Sequence, residues 1–396
     1  MIVEPKIRGF ICTTAHPVGC EQNVLEQVEY VKNHKKINGP KNVLIIGAST
    51  GYGLASRIVS LVGSQAKTLG VFYEKEAKGK RTASPGWYNT VAFENVAKEQ
   101  GVYAKSINGD AFSNEIKDEA IAMIKEDLGQ IDLVIYSLAS PRRTDPTTGT
   151  KYMSVLKPIG SAYTNKSIDA MKGEIGEVTL EPASPEEIFN TTKVMGGEDW
   201  EMWIDLLLKE GLLTEEAKTI AYSYIGPEVT RPIYRDGTIG KAKVHLEETG
   251  VKLNDKLKSI KGTSHVVVAK ALVTQASSAI PIVPLYIAAL YKTMKEKGNH
   301  EGCIEQITRL FGDVLYGGEL TVDHKSRIRI DDYEMDPEIQ EKALSLFDIV
   351  NTNNVYDVVD LKEYQKEFYK LFGFGFEDID YSKDIDVTQQ IPSLLK

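Results

Sequence analysis

Three cysteines in 396 residues, Cys12, Cys20 and Cys303, are too few for a disulfide scaffold, and none forms a Cys-x-x-Cys pair. That excludes a zinc ribbon or dithiol redox centre and fits unpaired thiols in a reducing, cytoplasmic compartment. Six histidines without one His-x-x-x-His pair leave no helical metal site, and no metal is expected. Long apolar runs are missing as well. The longest, residues 279–291, is interrupted by Pro281 and Pro284 and falls short of the roughly 20 residues a bilayer span needs. Glu4, Lys6 and Arg8 break up any secretory-signal core, so no membrane association is expected. Excess positive charge is also absent: 47 basic against 56 acidic residues, net −9, provide no global attraction to nucleic acid. With 42% hydrophobic and 26% charged residues, a folded globular chain is expected rather than a disordered one.

What is present is concentrated first in residues 42–54, Asn-Val-Leu-Ile-Ile-Gly-Ala-Ser-Thr-Gly-Tyr-Gly-Leu. A short buried strand runs into a turn carrying Gly47, Gly51 and Gly53, with an apolar helix predicted over 54–62. Such a turn lets backbone N–H groups and the positive end of the helix face a diphosphate. The residues Gly47, Ala48, Ser49, Thr50, Gly51, Tyr52 and Gly53 are therefore the first candidates for holding a dinucleotide. The same letters also satisfy Gly-x-Ser-x-Gly, which would expose Ser49 as a hydrolase nucleophile, and both readings stand at this point.

The pattern downstream alternates. A strand is predicted over 68–73, a helix over 87–99, a strand over 102–108, a helix over 115–128 and a strand over 131–137. This alternation predicts a doubly wound, parallel, Rossmann-like α/β sheet. Tyr73 and Glu74 close the second strand about 20 residues beyond the turn, where a carboxylate bonds the adenosine ribose hydroxyls and repels a 2′-phosphate. Lys75, Lys78, Lys80 and Arg81 follow, either neutralising such a phosphate or forming a solvated loop. NADH is favoured over NADPH. Asp110 with Ala111, and Leu138 with Ala139, sit at later strand ends, and Asp110 can accept from an adenine amino group. Residues 1–40, with a strand at 9–13 and a helix at 22–33, are read as a packing extension. Residues 140–218, including the amphipathic run 200–210, are read as a substrate-site insertion within one large domain spanning 1–396. A strand follows at 219–224. Later elements are a helix at 303–310, a strand at 327–330, a helix opening at Asp336-Pro337-Glu338 and a C-terminal helix over 361–372.

Tyr222, Tyr224, Tyr234 and Lys243 form the second concentration. Tyr234 and Lys243 are nine apart, about two and a half turns, so one continuous helix would set them on opposite faces. Gly237 and Gly240 permit a turn between a loop-borne Tyr234 and a Lys243 early in the next helix.

The glycine spacing resembles the short-chain dehydrogenase/reductase superfamily. The Tyr-x8-Lys pair, with Glu74, Tyr224 and the run 270–278 (Lys-Ala-Leu-Val-Thr-Gln-Ala-Ser-Ser), resembles its FabV-type enoyl thioester reductases over nearly the whole chain. The resemblance implies NADH-dependent reduction of the C2=C3 bond of a short trans-2-enoyl thioester, as in fatty acid metabolism, crotonyl-CoA to butyryl-CoA being the example. Tyr234 is implied as proton donor, Tyr224 as the residue on the substrate carbonyl, Lys243 as its catalytic and cofactor-binding partner, and Leu272, Val273 and Thr274 as contacts of the nicotinamide. The chemistry asks for such residues: hydride arriving at the β-carbon drives charge onto the carbonyl oxygen, so a donor is needed there and an acid at the α-carbon. A nearby ammonium is expected to lower the tyrosine's pKa from about 10. The implied partner is a small acyl-CoA or an acyl carrier protein ester; a monomer is one state open to the chain, and the sequence does not choose it. A ketoreductase, a serine thioesterase using Ser49 and a cofactor-sensing protein without turnover remain as alternatives.

Overall fold

Asn42–Ile46 (β1) alternates its buried side chains between two cores, Val43 and Ile45 on one face and Leu44 and Ile46 on the other, as a strand covered on both sides must. The computed structural model describes residues 1–395. Six further strands join β1: Lys67–Phe72 (β2), Ala104–Asn108 (β3), Ile131–Tyr136 (β4), Leu213–Ser223 (β5), Thr263–Val268 (β6) and Ile328–Arg329 (β7). Every pairing is parallel and the order is β7-β6-β5-β4-β1-β2-β3. The strand order reverses direction between β1 and β4, and ligands of open α/β sheets bind beyond the carboxyl ends at such a point.

The expected doubly wound sheet is therefore present, with shifted boundaries. β5 begins at Leu213, six residues before the predicted start, because an irregularity between Leu213 and Lys218, with Glu216 at φ +61°, extends the strand without breaking it. The predicted strand at 9–13 is instead one arm of a small hairpin, Ile7–Arg8 with Ile11–Cys12, turned at Gly9. The helix expected at 22–33 starts earlier, at Pro17 behind a His16 cap. Two of the three nucleotide-half helices, Gly51–Ile58 and Asn114–Met123, end in a wider turn, Val59–Gly63 and Ile124–Leu128. Within 140–218, the helix Glu198–Lys209 buries Trp200, Trp203, Ile204 and Leu207 in the core under the sheet. The hairpin Tyr163–Asp169 with Glu174–Leu180 packs instead against the cluster that holds Tyr224, Tyr234 and residues 271–273. No helix among the described residues is long and apolar enough to cross a membrane.

One buried charge ties the nucleotide half to the C-terminus. Arg57 is fully buried, and Gly70 on β2 makes room for it, since a Cβ there would lie 2.8 Å from the guanidinium carbon. Arg57 donates to Thr68, Ser106 and the Lys105 carbonyl and lies 3.9 Å from Glu94. Burial pulls the guanidinium down to about 10. Glu94 in turn accepts from the Ser393 N–H and hydroxyl, closing the C-terminal tail over the helix Pro85–Glu99. Arg57→Leu leaves Glu94 buried without its cation and is expected to cost about 3–5 kcal/mol in urea denaturation. A loss below about 1 kcal/mol would show that this pair is dispensable.

Candidate active site

Seven parallel strands collect their carboxyl ends on one edge, and the candidate residues stand there in strand order: Gly47 after β1, Tyr73 and Glu74 after β2, Asp110 after β3, Leu138 after β4, Tyr224 after β5 and the 270–274 run after β6. At β1 the chain leaves through Gly47 at φ +91°, where a Cβ would meet the Ser137 carbonyl at 2.2 Å. A Cβ at Gly53 would strike the Gly47 carbonyl at 1.8 Å, so these two glycines close the turn. Gly51 differs: φ is +54° and a Cβ would project into open space, with only Thr274 Cγ2 at 4.0 Å. The helix start at Thr50 carries no side-chain cap, leaving its first N–H groups available to an anion. Ala48 is fully buried beneath them. An unobstructed, uncapped helix start facing Thr274 fits the diphosphate of a dinucleotide.

Glu74 packs against this turn. Its Oε1 accepts from Ser49 Oγ at 2.6 Å, and Gly86 makes room for it, because a Cβ at 86 would lie 2.0 Å from that oxygen. Burial raises the carboxyl above its ordinary range, with the Ser49 and Ser84 hydroxyls pulling it back. Glu74, Lys78, Arg81, Trp87 and Asn108 line a cavity of about 480 Å³. Of the cations noted in the sequence, Lys75, Lys78 and Arg81 thus share a wall with the carboxylate. Tyr73 stands 71% exposed at the rim. Asp110 accepts from the Phe112 N–H, and Lys117 fastens the same turn by donating to the Ala111 and Phe112 carbonyls while paired with Asp199 at 2.7 Å. Leu138 is half-buried and Ala139 exposed beyond β4.

On the other side of the edge, Tyr52 stacks on Tyr222, ring centroids 5.3 Å apart, and Ser56 shares a hydrogen bond with the Tyr222 hydroxyl. Lys243 lies in the second turn of the helix Thr238–Leu257 and donates to the Tyr222 carbonyl at 3.2 Å. Burial draws its ammonium down to about 8. Tyr234 sits in the loop before that helix, as the spacing required, with its ring edge-on to Tyr224 at 4.9 Å. Among the described residues its hydroxyl has no hydrogen-bond partner. The expected lowering of its pKa by Lys243 is not what the structure contains: burial pushes the Tyr234 phenol up to about 12, and the ammonium is turned to a carbonyl instead. Leu272 and Val273 are buried, and Val273 N–H is held by Tyr291 and Thr274 N–H by Ser277.

Sequence reasoning missed Glu334. It is 0% exposed in the turn before the helix Pro337–Ile349, and it accepts from Tyr224, Tyr286 and the Ala271 N–H. Its neighbours Asp331, Asp332 and Tyr333 read as a solvated acidic turn, so no local signal marked it. Lys270, 2% exposed and given no role by the sequence beyond its place in the 270–278 run, donates to the Ala271 and Glu301 carbonyls.

Against known proteins, the family description "Trans-2-enoyl-CoA reductase catalytic region" matches residues 81–316, and "NAD(P)H binding domain of trans-2-enoyl-CoA reductase" matches residues 2–79. The chain belongs to the trans-2-enoyl-CoA reductase family. The trans-2-enoyl-CoA reductase [NADH] of Ruminiclostridium cellulolyticum is 58% identical over all of both chains. The enoyl-[acyl-carrier-protein] reductase [NADH] of Flavobacterium johnsoniae is 60% identical, again over all of both. Among solved structures, the Clostridium acetobutulicum trans-2-enoyl-CoA reductase in complex with NADH superposes with TM-score 0.96, 46% identity and 98% of each chain covered. The Treponema denticola enzyme with NAD gives 0.93 and 49%, over 97% of this chain and 98% of the other.

A third description, "Enoyl reductase FAD binding domain", matches residues 322–385. In this reductase those residues do not fit a flavin: Ile339, Ala343, Phe347, Leu361, Tyr364 and Phe368 spend their apolar faces in the cluster around the helix Val283–Lys297. The 480 Å³ cavity takes none of its lining from 322–385. The hydrolase alternative also fails here, because the Ser49 hydroxyl donates to a carboxylate rather than to an imidazole. Replacing Glu74 by Ser removes the charge facing a 2′-phosphate and leaves the nearby cations. The ratio of kcat/KM for NADH over NADPH is expected to fall by about 10-fold or more, the scale of one near-surface charge repulsion. An unchanged ratio would detach Glu74 from cofactor choice.

Proposed function

We propose that this chain reduces the C2=C3 bond of short trans-2-enoyl thioesters with NADH, crotonyl-CoA to butyryl-CoA being the representative reaction. The observation that carries the reading is the edge-on Tyr224–Tyr234 pair at the sheet's carboxyl edge, with the Tyr234 hydroxyl free of hydrogen-bond partners among the described residues and Lys243 on the following helix bonded to the Tyr222 carbonyl. Bound NADH supplies the hydride that is added at C3. The residues proposed to hold it are the 47–53 turn with Tyr73 and Glu74 on the adenosine side, Asp110, Ala111, Leu138 and Ala139 along the edge, and Leu272, Val273, Thr274 and Lys243 at the nicotinamide.

The remaining work falls to the protein. As charge moves onto the thioester oxygen, Tyr224 is proposed to donate to it and Tyr234 to deliver a proton to C2. A phenol held near 12 keeps its proton across the physiological range, which suits an acid facing a carbanion-like carbon. Lys243 retains a substantial positive fraction near neutrality, though its pKa is about 8, and so favours the anionic side of the reaction without taking Tyr234's proton outright. Partial burial of Tyr224, Tyr234 and Lys243 strengthens these interactions.

The relatives' names divide between CoA and acyl carrier protein esters, so the carrier is the open specificity of this site. We take CoA as the carrier, and rates on crotonyl groups carried by each decide the matter. Three unpaired cysteines support a cytoplasmic setting. Tyr234→Phe is expected to lower turnover of crotonyl-CoA by a factor on the order of 10² or more while leaving the NADH dissociation constant unchanged. Turnover equal to the parent enzyme would transfer the acid role away from Tyr234.

A further inference from the structure

Glu334 joins three functional pieces that are far apart in sequence. Oε2 accepts from the Ala271 N–H at 2.7 Å, at the base of the loop carrying Leu272–Thr274. Oε1 accepts from Tyr286 at 2.8 Å and from Tyr224 at 3.0 Å. The hydrogen-bond inventory of these groups limits where protons can be. An amide N–H only donates, so Oε2 is always the acceptor toward Ala271. Tyr286 itself accepts from Gln340 Nε2 at 2.9 Å, which commits its own hydrogen to Oε1. Among the described residues Tyr224 has no second hydrogen-bond partner. When Glu334 is ionised, Tyr224 donates to it and has no hydrogen left for a substrate carbonyl. When Glu334 carries a proton on Oε1, that proton is donated to the Tyr224 oxygen and the Tyr224 hydrogen is released toward the cleft.

We propose that Glu334 is a positioning residue for the reduction, and that its proton decides whether Tyr224 donates to the substrate carbonyl or is held back from it. This rests on the reading of Tyr224 as the carbonyl-binding residue. Glu334 gives up no proton in the reduction: its proton is shared with Tyr224 and stays with the pair, while the one proton the reaction consumes is delivered to C2 by Tyr234, which regains it from solvent. The charged and titratable groups around Glu334 act in both directions. Lys270 favours the ionised form, Asp331 opposes it although Arg329 holds Asp331 at 2.6 and 2.7 Å, and Tyr52, Tyr224 and Tyr286 complete the ring. Full burial is the largest influence and raises the carboxyl above its ordinary range, so the protonated form persists further toward neutrality than for an exposed glutamate.

The test is the pH dependence of kcat and KM for crotonyl-CoA with NADH, from about pH 5.5 to 9, the span in which buried carboxylates titrate. Activity should be present below the Glu334 pKa and fall as pH rises through it. Glu334→Gln places a carbonyl on Ala271 and an amide donor toward Tyr224, and should remove that falling limb. Tyr286→Phe takes one donor from the carboxylate and should move the limb to higher pH. It carries the test alone if Glu334→Gln does not fold. The separate limb from Lys243, near about 8, should be unaltered in both. Tyr224→Phe should cost a factor on the order of 10², as for a lost oxyanion donor, and in that background Glu334→Gln should have no further effect on the pH profile. A limb unmoved in Tyr286→Phe, a limb retained in Glu334→Gln, or an equal effect of Glu334→Gln with and without Tyr224 would each overturn the proposal while leaving the carbonyl role of Tyr224 standing. Full activity in Tyr224→Phe would remove that role and the proposal with it.

Discussion

Parallel hydrogen bonding between strands is the constraint from which this site follows. Because all seven strands run one way, every chain exit from the sheet occurs on the same edge, and residues separated by more than two hundred positions meet there. The ladder continues past the strand ends: Gly47 and Ala48 N–H both reach the Val71 carbonyl, Ser137 N–H reaches Ile46, and Ala269 N–H reaches Ser223. These extra rungs hold the turn, the adenosine side and the 270–274 loop against one another before any ligand arrives. A slip of β1 by one residue would exchange its two buried faces and carry Gly47 off the Ser137 carbonyl, so core packing and cofactor geometry are one requirement.

Desolvation, more than pairing between charges, sets the chemical character of the groups on that edge. It raises Tyr234, Glu74 and Glu334 and lowers Lys243 and Lys270, and in each case it is the largest influence. All five shifts favour the neutral form. A tyrosine held near about 12 is a proton holder, and a lysine near about 8 is a cation that yields its charge easily. Such a site is suited to transient charge on a substrate oxygen, because buried groups act on that charge with little screening by water.

Much of this was legible in the letters. The glycine turn, the carboxylate about 20 residues on, and the strand ends at 110 and 138 all declared themselves through local rules of backbone conformation and periodicity. β6 was passed over although Val266, Val267 and Val268 form a β-branched run, because the polar Thr263, Ser264 and His265 before them disguise its start. The helix Pro185–Met195 was passed over despite a Ser184–Glu187 capping box. Glu334 lay beyond local reading for a different reason. Its partners are 110, 63 and 48 residues away, and nothing in an acidic turn says which carboxylate is turned inward. The mutual orientation of Tyr234 and Lys243 was beyond it too, since spacing fixes which helix a side chain is on but not which carbonyl captures its ammonium.

Moving the tyrosine off the lysine's helix has a physical consequence. When both lie on one helix face, the helix alone fixes their separation. Here Tyr234 depends on its loop: its N–H is held by the Thr230 carbonyl, the Thr230 hydroxyl by Pro227, and the neighbouring Val229 carbonyl by Tyr163 of the 163–180 hairpin. The start of the Lys243 helix is fixed from a third direction, through Thr238 to the carbonyls of Val155 and Lys157. The two side chains are therefore positioned by separate parts of residues 140–218, and Tyr224, against whose ring Tyr234 rests, is positioned by Glu334. Geometry that one helix would supply is distributed over four segments, which allows the tyrosine and the lysine to be placed independently around a substrate. That independence makes the buried carboxylate behind Tyr224 a part of the site's construction rather than a bystander in the core.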